Sequence, residues 1–342
     1  MTGKVYKSTG SWYVVKTAEG GVWNARLKGL FKLDGITSTN PLAVGDDVEF
    51  EIESEDEGTA IITKIHERSN YINRQSPSHR NQHHIVAANV DQSLLIVTLR
   101  EPRTSQGFID RWLLTCEAYH VPAVLLFNKS DNYGKKEEAR FEEWKAMYEA
   151  IGYRVIRMSV VSGDGLEEAR ALLAGRISLL SGHSGVGKSS FLNALFPEMR
   201  LRTHEISGWS GKGTHTTTFA EMFDLPGGEG SEGGGGGERQ AGGGEAGGGG
   251  GESEASGGEA GGGRIIDTPG MREFGLVDIS KQELSGYFPE MRALAGQCHF
   301  NNCLHLEEPG CRVKEAVGEG RIAAERYDSY CAILESIGKD EY

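Results

Sequence analysis

Gly182-His183-Ser184-Gly185-Val186-Gly187-Lys188-Ser189, followed by Ser190, has the composition and spacing of a loop that cradles phosphates. Its glycines let consecutive backbone N–H groups turn inward on an anion. Lys188 reaches the β/γ oxygens, and Ser189 supplies a hydroxyl for Mg²⁺. A helix beginning at this point adds its positive end. Asn128-Lys129-Ser130-Asp131 offers the complementary chemistry of a base reader. The Asp131 carboxylate can accept from both the N1–H and the exocyclic amine of guanine, while Lys129 lays its stem over the purine face. Adenine has no such donor pair, so a site of this type discriminates by roughly 10⁴ or more in favour of GTP. Alone, Asn-Lys-x-Asp is often only a polar turn after a strand; beside a phosphate loop it becomes specific.

The elements that must position these groups are legible around them. The apolar run Ile177 to Leu180 precedes the phosphate loop and Ser190 to Leu195 follows it, as strand and helix. Val121 to Phe127 reads as a buried parallel strand with Asn128 at its carboxyl end, where open α/β sheets bind ligands. Arg154 to Met158 is a further strand, ending at Ser159, a candidate to support the base edge ahead of the Gly163-Asp164-Gly165 turn. Arg264-Ile265-Ile266 leads into Asp267-Thr268-Pro269-Gly270, where Asp267 can hold the Mg²⁺ shell and the Gly270 N–H can meet the γ-phosphate. Upstream, Gly208 to Thr218 is loosened by glycine and ends in Thr216, Thr217 and Thr218. One of Thr216 or Thr217 is expected to close on Mg²⁺ when the γ-phosphate is present and to let go on hydrolysis.

In an ordinary GTPase the phosphate loop comes first, whereas here the order is base reader, phosphate loop, then Asp-x-x-Gly. With Ala87-Ala88-Asn89-Val90-Asp91-Gln92, Lys212 to Thr218 and Asp267 to Phe274 added, the chain resembles the circularly permuted GTPases. Within them it resembles the ribosome small subunit-dependent GTPase A family over nearly its whole length. Where Ras-like enzymes place a water-orienting Gln, this chain has Met271, which neither donates nor accepts strongly. The resemblance gives His215 the water-activating role, beside Thr216, Thr217 and Lys188 as the other catalytic candidates, with Ser189, Thr217 and Asp267 on magnesium. Intrinsic turnover of about 10⁻⁴ to 10⁻² s⁻¹ is then the expectation, raised by a partner that completes the site.

Cys298, Cys303, His305 and Cys311 form a second chemical cluster, a Cys₃His set that suits a closed tetrahedral structural zinc. His299 competes as the imidazole, and the resemblance implies His305. Cys116 and Cys331 read as ordinary buried thiols, with no disulfide framework and a reducing compartment.

Met1 to about Ile65 alternates short strands (12–15, 22–27, 47–52 and 60–65) with Gly, Asn and Asp turns, which argues a small barrel. The resemblance implies an OB-fold there, a fold that binds irregular or single-stranded RNA. Lys4, Lys7, Lys16, Arg26, Lys28 and Lys32, interleaved with Tyr6, Trp12 and Trp23, are candidate phosphate contacts and stacking platforms. Glu67 to His84 is polar and reads as a mobile linker. Residues 226–263 are almost all Gly, Glu, Ala and Ser, and their seven Glu and one Arg account for −6 of the net charge of −13. The remainder is mildly acidic, which leaves room for local basic patches. Placed between two antiparallel strands, such an insertion costs roughly 2 kcal/mol of closure entropy and is expected to hang as a disordered coil.

The resulting organisation is multidomain: an OB-fold barrel at 1–68, a linker at 69–88, an α/β phosphate-loop GTPase domain with permuted motif order at 89–277, and a helical zinc-binding domain at 278–342. No apolar run is long enough for a membrane span, and Met1 to Tyr6 lacks a signal-peptide apolar region, so a cytoplasmic, membrane-free monomer is expected. The reading that follows is a GTP-hydrolysing factor that binds the small ribosomal subunit and its rRNA late in maturation, hydrolysis driving release. Two other classes remain open at this point: a GTP-regulated RNA-binding module with negligible turnover, and a permuted GTPase acting on the large subunit.

Overall fold

The structure is a computed structural model describing residues 1–28, 41–75, 83–197, 220–226, 262–267 and 279–337. Thr2–Ser8 (β1), Tyr13–Lys16 (β2), Val22–Leu27 (β3), Asp47–Ser54 (β4) and Thr59–Ile65 (β5) form the N-terminal barrel. β1 pairs antiparallel with both β2 and β4, and β3 runs parallel to β5, so the five strands close in the order 1-2-3-5-4-1. Closure removes the free edges that five short strands would otherwise expose. Val5, Val15, Val48, Phe50 and Ile62 fill the interior from alternate positions. β1 was not among the strands expected, because Lys4 and Lys7 interrupt its alternation. Trp12 lies in the β1–β2 turn, exposed, rather than in a strand.

The linker expected over 69–88 is corrected by the fold. Tyr71–Gln75 (β6) and His83–Ala88 (β7) pair antiparallel, with Ile72, Ala87 and Ala88 buried. The Ala88 N–H donates to the Val44 carbonyl at 2.9 Å, which buttons this hairpin to the barrel. At Gly45, with φ +96°, an added Cβ would stand 2.0 Å from the Ala88 carbonyl oxygen, so only glycine permits that approach. The polar content of the segment conceals two short strands whose inward residues are few.

Gln92–Val97 (β8), Gln106–Ala118 (α1), Ala123–Phe127 (β9), Lys135–Ala150 (α2), Arg154–Arg157 (β10), Leu166–Leu173 (α3), Ile177–Ser181 (β11), Lys188–Leu195 (α4), Glu221–Asp224 (β12) and Arg264–Asp267 (β13) build the central domain. Its strand order is β10-β9-β8-β11-β13-β12, parallel except for β12. Every residue of β8 is buried, as a strand covered on both faces must be. Leu95 and Val97 face α1 and α2 in one apolar cluster, while Leu94 and Ile96 face α3 and α4 in another. The hairpin β12–β13 closes with Leu225 N–H donating to the Gly263 carbonyl at 2.7 Å. Most of the insertion expected at 226–263 lies outside the described residues, as do Lys32, His215, Thr216, Thr217 and Gly270.

The C-terminal module is a 3₁₀ turn (Leu284–Tyr287), Pro289–Arg292 (α5), Arg312–Gly318 (α6) and Ala324–Ser336 (α7). Leu114 of α1 inserts among Phe288, Met291, Val313 and Tyr330, so its core is continuous with the central domain. Cys116 is buried as expected, whereas Cys331 is only partly so. No helix among the described residues is long and apolar enough to cross a membrane.

Candidate nucleotide site and metal centre

The carboxyl ends of β8, β9, β11 and β13 converge, and they carry the groups singled out from the sequence. β8 and β11 are neighbours at the point where strand order reverses, which is where open α/β sheets place ligands. The phosphate loop links β11 to α4, with Gly182, Gly185 and Gly187 at φ +142°, +85° and +100°. An added Cβ at Gly182 would meet the Ile96 carbonyl oxygen at 2.5 Å, and one at Gly187 would meet Asn128 Nδ2 at 2.5 Å. The loop is therefore glycine-dependent both for its turns and for its fit against β8 and β9.

Asn128, buried at the end of β9, ties the base loops to the phosphate loop. Its Nδ2 donates to the Val186 carbonyl at 2.8 Å, and its Oδ1 accepts from Val160 N–H at 3.3 Å. Lys129 occupies a left-handed conformation and donates to the carbonyls of Gly185 (2.9 Å) and Glu101 (2.5 Å). Ser159 is wholly buried, donates to Asp131 Oδ1 at 2.5 Å, and accepts from the Val161 and Ser162 N–H groups, each at 3.1 Å. The Asp131 carboxylate stays exposed at the rim, oriented from behind by a hydroxyl.

Lys188 Nζ donates to the carbonyls of Gly182 (2.7 Å) and His183 (3.0 Å). Burial pushes its ammonium below the usual lysine range, opposed by the nearby Asp267 carboxylate. A cation held by uncharged carbonyls is available to phosphate oxygens, which offer stronger, charge-assisted bonds. Asp267 is buried at the end of β13, in register with Leu180 on β11. A carboxylate, a phosphate-loop hydroxyl at Ser189 and a lysine at one strand end suit Mg²⁺ held with a nucleotide's phosphates. Ser184, Gly185 and Ser190 are exposed at the loop's mouth.

Two groups carried no local signal in the sequence. The loop after β8 supplies the Glu101 carbonyl to Lys129, and its Pro102 Cδ would lie 3.5 Å from a Cβ at Gly185. Phe108 on α1 packs against the His183 ring at 3.7 Å between centroids. Burial and the Lys188 charge hold that imidazole below its ordinary pKa.

In the C-terminal module the donor atoms of Cys298, Cys303, His305 and Cys311 lie within 4.8 Å of one another. His305 Nδ1 is 3.6 Å from Cys298 Sγ and 3.4 Å from Cys311 Sγ. Zinc bonds of about 2.3 Å to sulfur and 2.0–2.1 Å to nitrogen give a tetrahedral N···S edge of about 3.6 Å, so the set fits zinc. His299, the competing imidazole, packs on Phe300 instead. The Glu308 carboxylate accepts from the Leu304 and Leu306 N–H groups at 2.8 Å each, and Tyr327 and Tyr330 donate to the carbonyls of His305 and Leu304. The ligand loop is thus held by carboxylate and phenol from outside the donor set.

Comparison with known proteins gives the same picture along the chain. Residues 65–230 match the family model described as RsgA GTPase, and residues 2–60 that described as RsgA N-terminal domain. The small ribosomal subunit biogenesis GTPase RsgA of Flavobacterium psychrophilum is 44% identical over 100% of this chain and 94% of its own. That of Cytophaga hutchinsonii is 48% identical over 98% of each. Among solved structures, YjeQ from Thermotoga maritima superposes with a TM-score of 0.71 at 30% identity, covering 98% of both chains. YloQ, a circularly permuted GTPase, gives 0.67 at 26%, covering 100% of this chain and 96% of its own.

Proposed function

The chain belongs to the RsgA family of circularly permuted GTPases, and on that premise we propose that it docks GTP-bound on the small ribosomal subunit late in maturation and leaves after hydrolysis. The observation that carries the nucleotide half of this reading is the Asn128 bridge: base reader and phosphate loop, 58 residues apart and in rotated order, are joined by one buried amide. In this reading Asp131, oriented by Ser159, selects guanine, and Lys129 covers the base. The backbone of Gly182 to Ser190, with Lys188, receives the phosphates. Magnesium bound through Ser189, Thr217 and Asp267 would neutralise the β/γ oxygens. Gly270 meets the γ-phosphate, and His215 and Thr216 complete the hydrolytic site.

The similarity to small ribosomal subunit biogenesis GTPases supports the small subunit as partner and the ribosome-biogenesis role. The barrel and the Cys₃His module, the latter with one structural zinc, flank the GTPase core as two separate surfaces for rRNA. The chain acts in this reading as a cytoplasmic monomer.

The test is GTP hydrolysis with and without purified small subunits, for the wild type and His215→Ala. Strong stimulation that disappears in the variant is the expected result. Equal, slow rates throughout would replace this reading with a GTP-regulated binding module, and stimulation by large subunits alone would replace the partner.

A further inference from the structure

β12 is the outermost strand of the GTPase sheet, and its free edge is taken by the barrel. β1 pairs with it antiparallel at Lys7 and Glu221, which makes one sheet of barrel and GTPase strands. Both acids of β12 are held from the barrel side. Lys7 Nζ lies 2.9 Å from Glu221 Oε2. Lys16 Nζ lies 2.8 Å from Asp224 Oδ2, and the Tyr6 hydroxyl donates to Asp224 Oδ1. Tyr6 and Met222 share an apolar cluster with Ile266 of β13, with Val14 of β2 and Ala220 packed against it.

The position of this seam in the chain gives it meaning. β12 begins three residues after Thr218, and β13 ends at Asp267. Glu221 is the cross-strand partner of Asp267, so Lys7 grips the residue directly opposite the carboxylate at the nucleotide site. Packed interfaces shift between discrete arrangements rather than bending smoothly, so a change in the barrel's seat is passed to β12 and to the strand beside it.

Resting on the proposed small-subunit reading, we propose that β12 is the element through which docking of the barrel on rRNA reaches the GTP site. Lys7 and Lys16 are positioning residues that act through Glu221 and Asp224. They are not phosphate contacts to RNA. The coupling is reciprocal for binding: exchange of GTP for GDP alters the barrel's seat by the same free energy that the seat contributes to nucleotide preference.

The experiment measures two quantities, the affinity for small subunits and the ratio of stimulated to unstimulated GTP hydrolysis, on three variants: Lys7→Gln/Lys16→Gln, Glu221→Gln/Asp224→Asn, and all four changes together. The expected result is a fall of about tenfold in the stimulation ratio for either pair. Subunit affinity should stay within about twofold, and the fourfold variant should lose no more than either pair, because both sides break one seam. Loss of affinity and stimulation in the lysine pair with none in the acid pair would overturn the inference and return the lysines to direct RNA contact. Unchanged stimulation in both pairs would overturn it as well. A wild type that small subunits do not stimulate would fail the proposed function itself, an outcome visible before any variant is compared.

Discussion

The GTPase core carries a module on each flank, and the two are fastened by opposite chemistry. Arg326 of α7 donates to Asp110 on α1 and Glu290 on α5, both at 2.7 Å, with its side chain only 2% exposed and Asp110 wholly buried. Tyr148 on α2 donates to the same Asp110 oxygen at 2.8 Å, and Phe288 lies under the guanidinium at 4.6 Å. On the barrel side, the Lys16 and Asp224 side chains are 31% and 49% exposed, and the Lys7–Glu221 pair is similarly open. Removing one member of a buried pair strands a charge, whereas breaking an exposed pair lets water take its place. The Cys₃His module therefore moves as one body with α1, whose Phe108 also packs on the phosphate-loop His183. On the barrel side the buried Tyr6 and Met222 hold the contact, while its ion pairs can be exchanged for water at little cost, so charge can bias the seat.

The contrast is tested most severely at the metal centre. Cys311→Ser should abolish zinc binding, and with it a contribution on the order of 10 kcal/mol that holds the ligand loop. Zinc content and hydrogen exchange read the outcome: protection should be lost in α6 and α7 while the amides of β1 to β5 keep theirs. Equal loss in the barrel would show that the flanks are not independently fastened.

Arg326→Ala comes next, with an expected destabilisation of about 3–5 kcal/mol from the carboxylates left buried and unpaired. Chemical denaturation measures it. Arg326→Met combined with Asp110→Asn and Glu290→Gln should recover much of the loss, because it removes the stranded charges as well as the bond. A single variant costing under about 1 kcal/mol would place this attachment in the same class as the barrel's exposed pairs.

The chemistry is legible in the sequence and these attachments are not, and the division has a physical origin. The phosphate loop, Asn-Lys-x-Asp and the Cys₃His set are short runs whose ligands demand fixed residue types at fixed spacing. Asn128 and the three cysteines are legible without any long-range partner, whereas the choice of His305 over His299 rests on the family resemblance. Arg326 and Asp110 lie 216 residues apart, and nothing near either indicates the other. Likewise nothing near Lys7 or Lys16 in the sequence indicates that Glu221 and Asp224 stand beside them. Arg26 is paired with Glu53 in the same way. The β6–β7 hairpin has the sequence pattern of a linker because its few buried positions, Ile72 among them, sit among polar neighbours. The permuted motif order was visible at once, but the closing of its pieces into one site by the Asn128 amide was not.

The smallest expected effect is the pH response of the barrel seam. Burial raises the Asp224 carboxyl, but hydrogen bonds from Lys16 and Tyr6 and the charges of Lys16 and Arg264 outweigh it and hold the group below its ordinary value. A carboxylate depressed in this way stabilises the folded state fully above its unfolded value of about 3.9 and loses that contribution as pH falls through the lower folded value. For a pair this exposed the contribution is on the order of 0.5 kcal/mol. The stability difference between wild type and Asp224→Asn should thus be flat from about pH 8 to 5 and close below about pH 4. Hydrogen exchange at the amides of β1 to β5, in Arg326-intact protein, reads it. A difference that persisted at low pH would mean that Asp224 acts through shape rather than charge, and the seam would then belong with the buried attachment on the opposite flank.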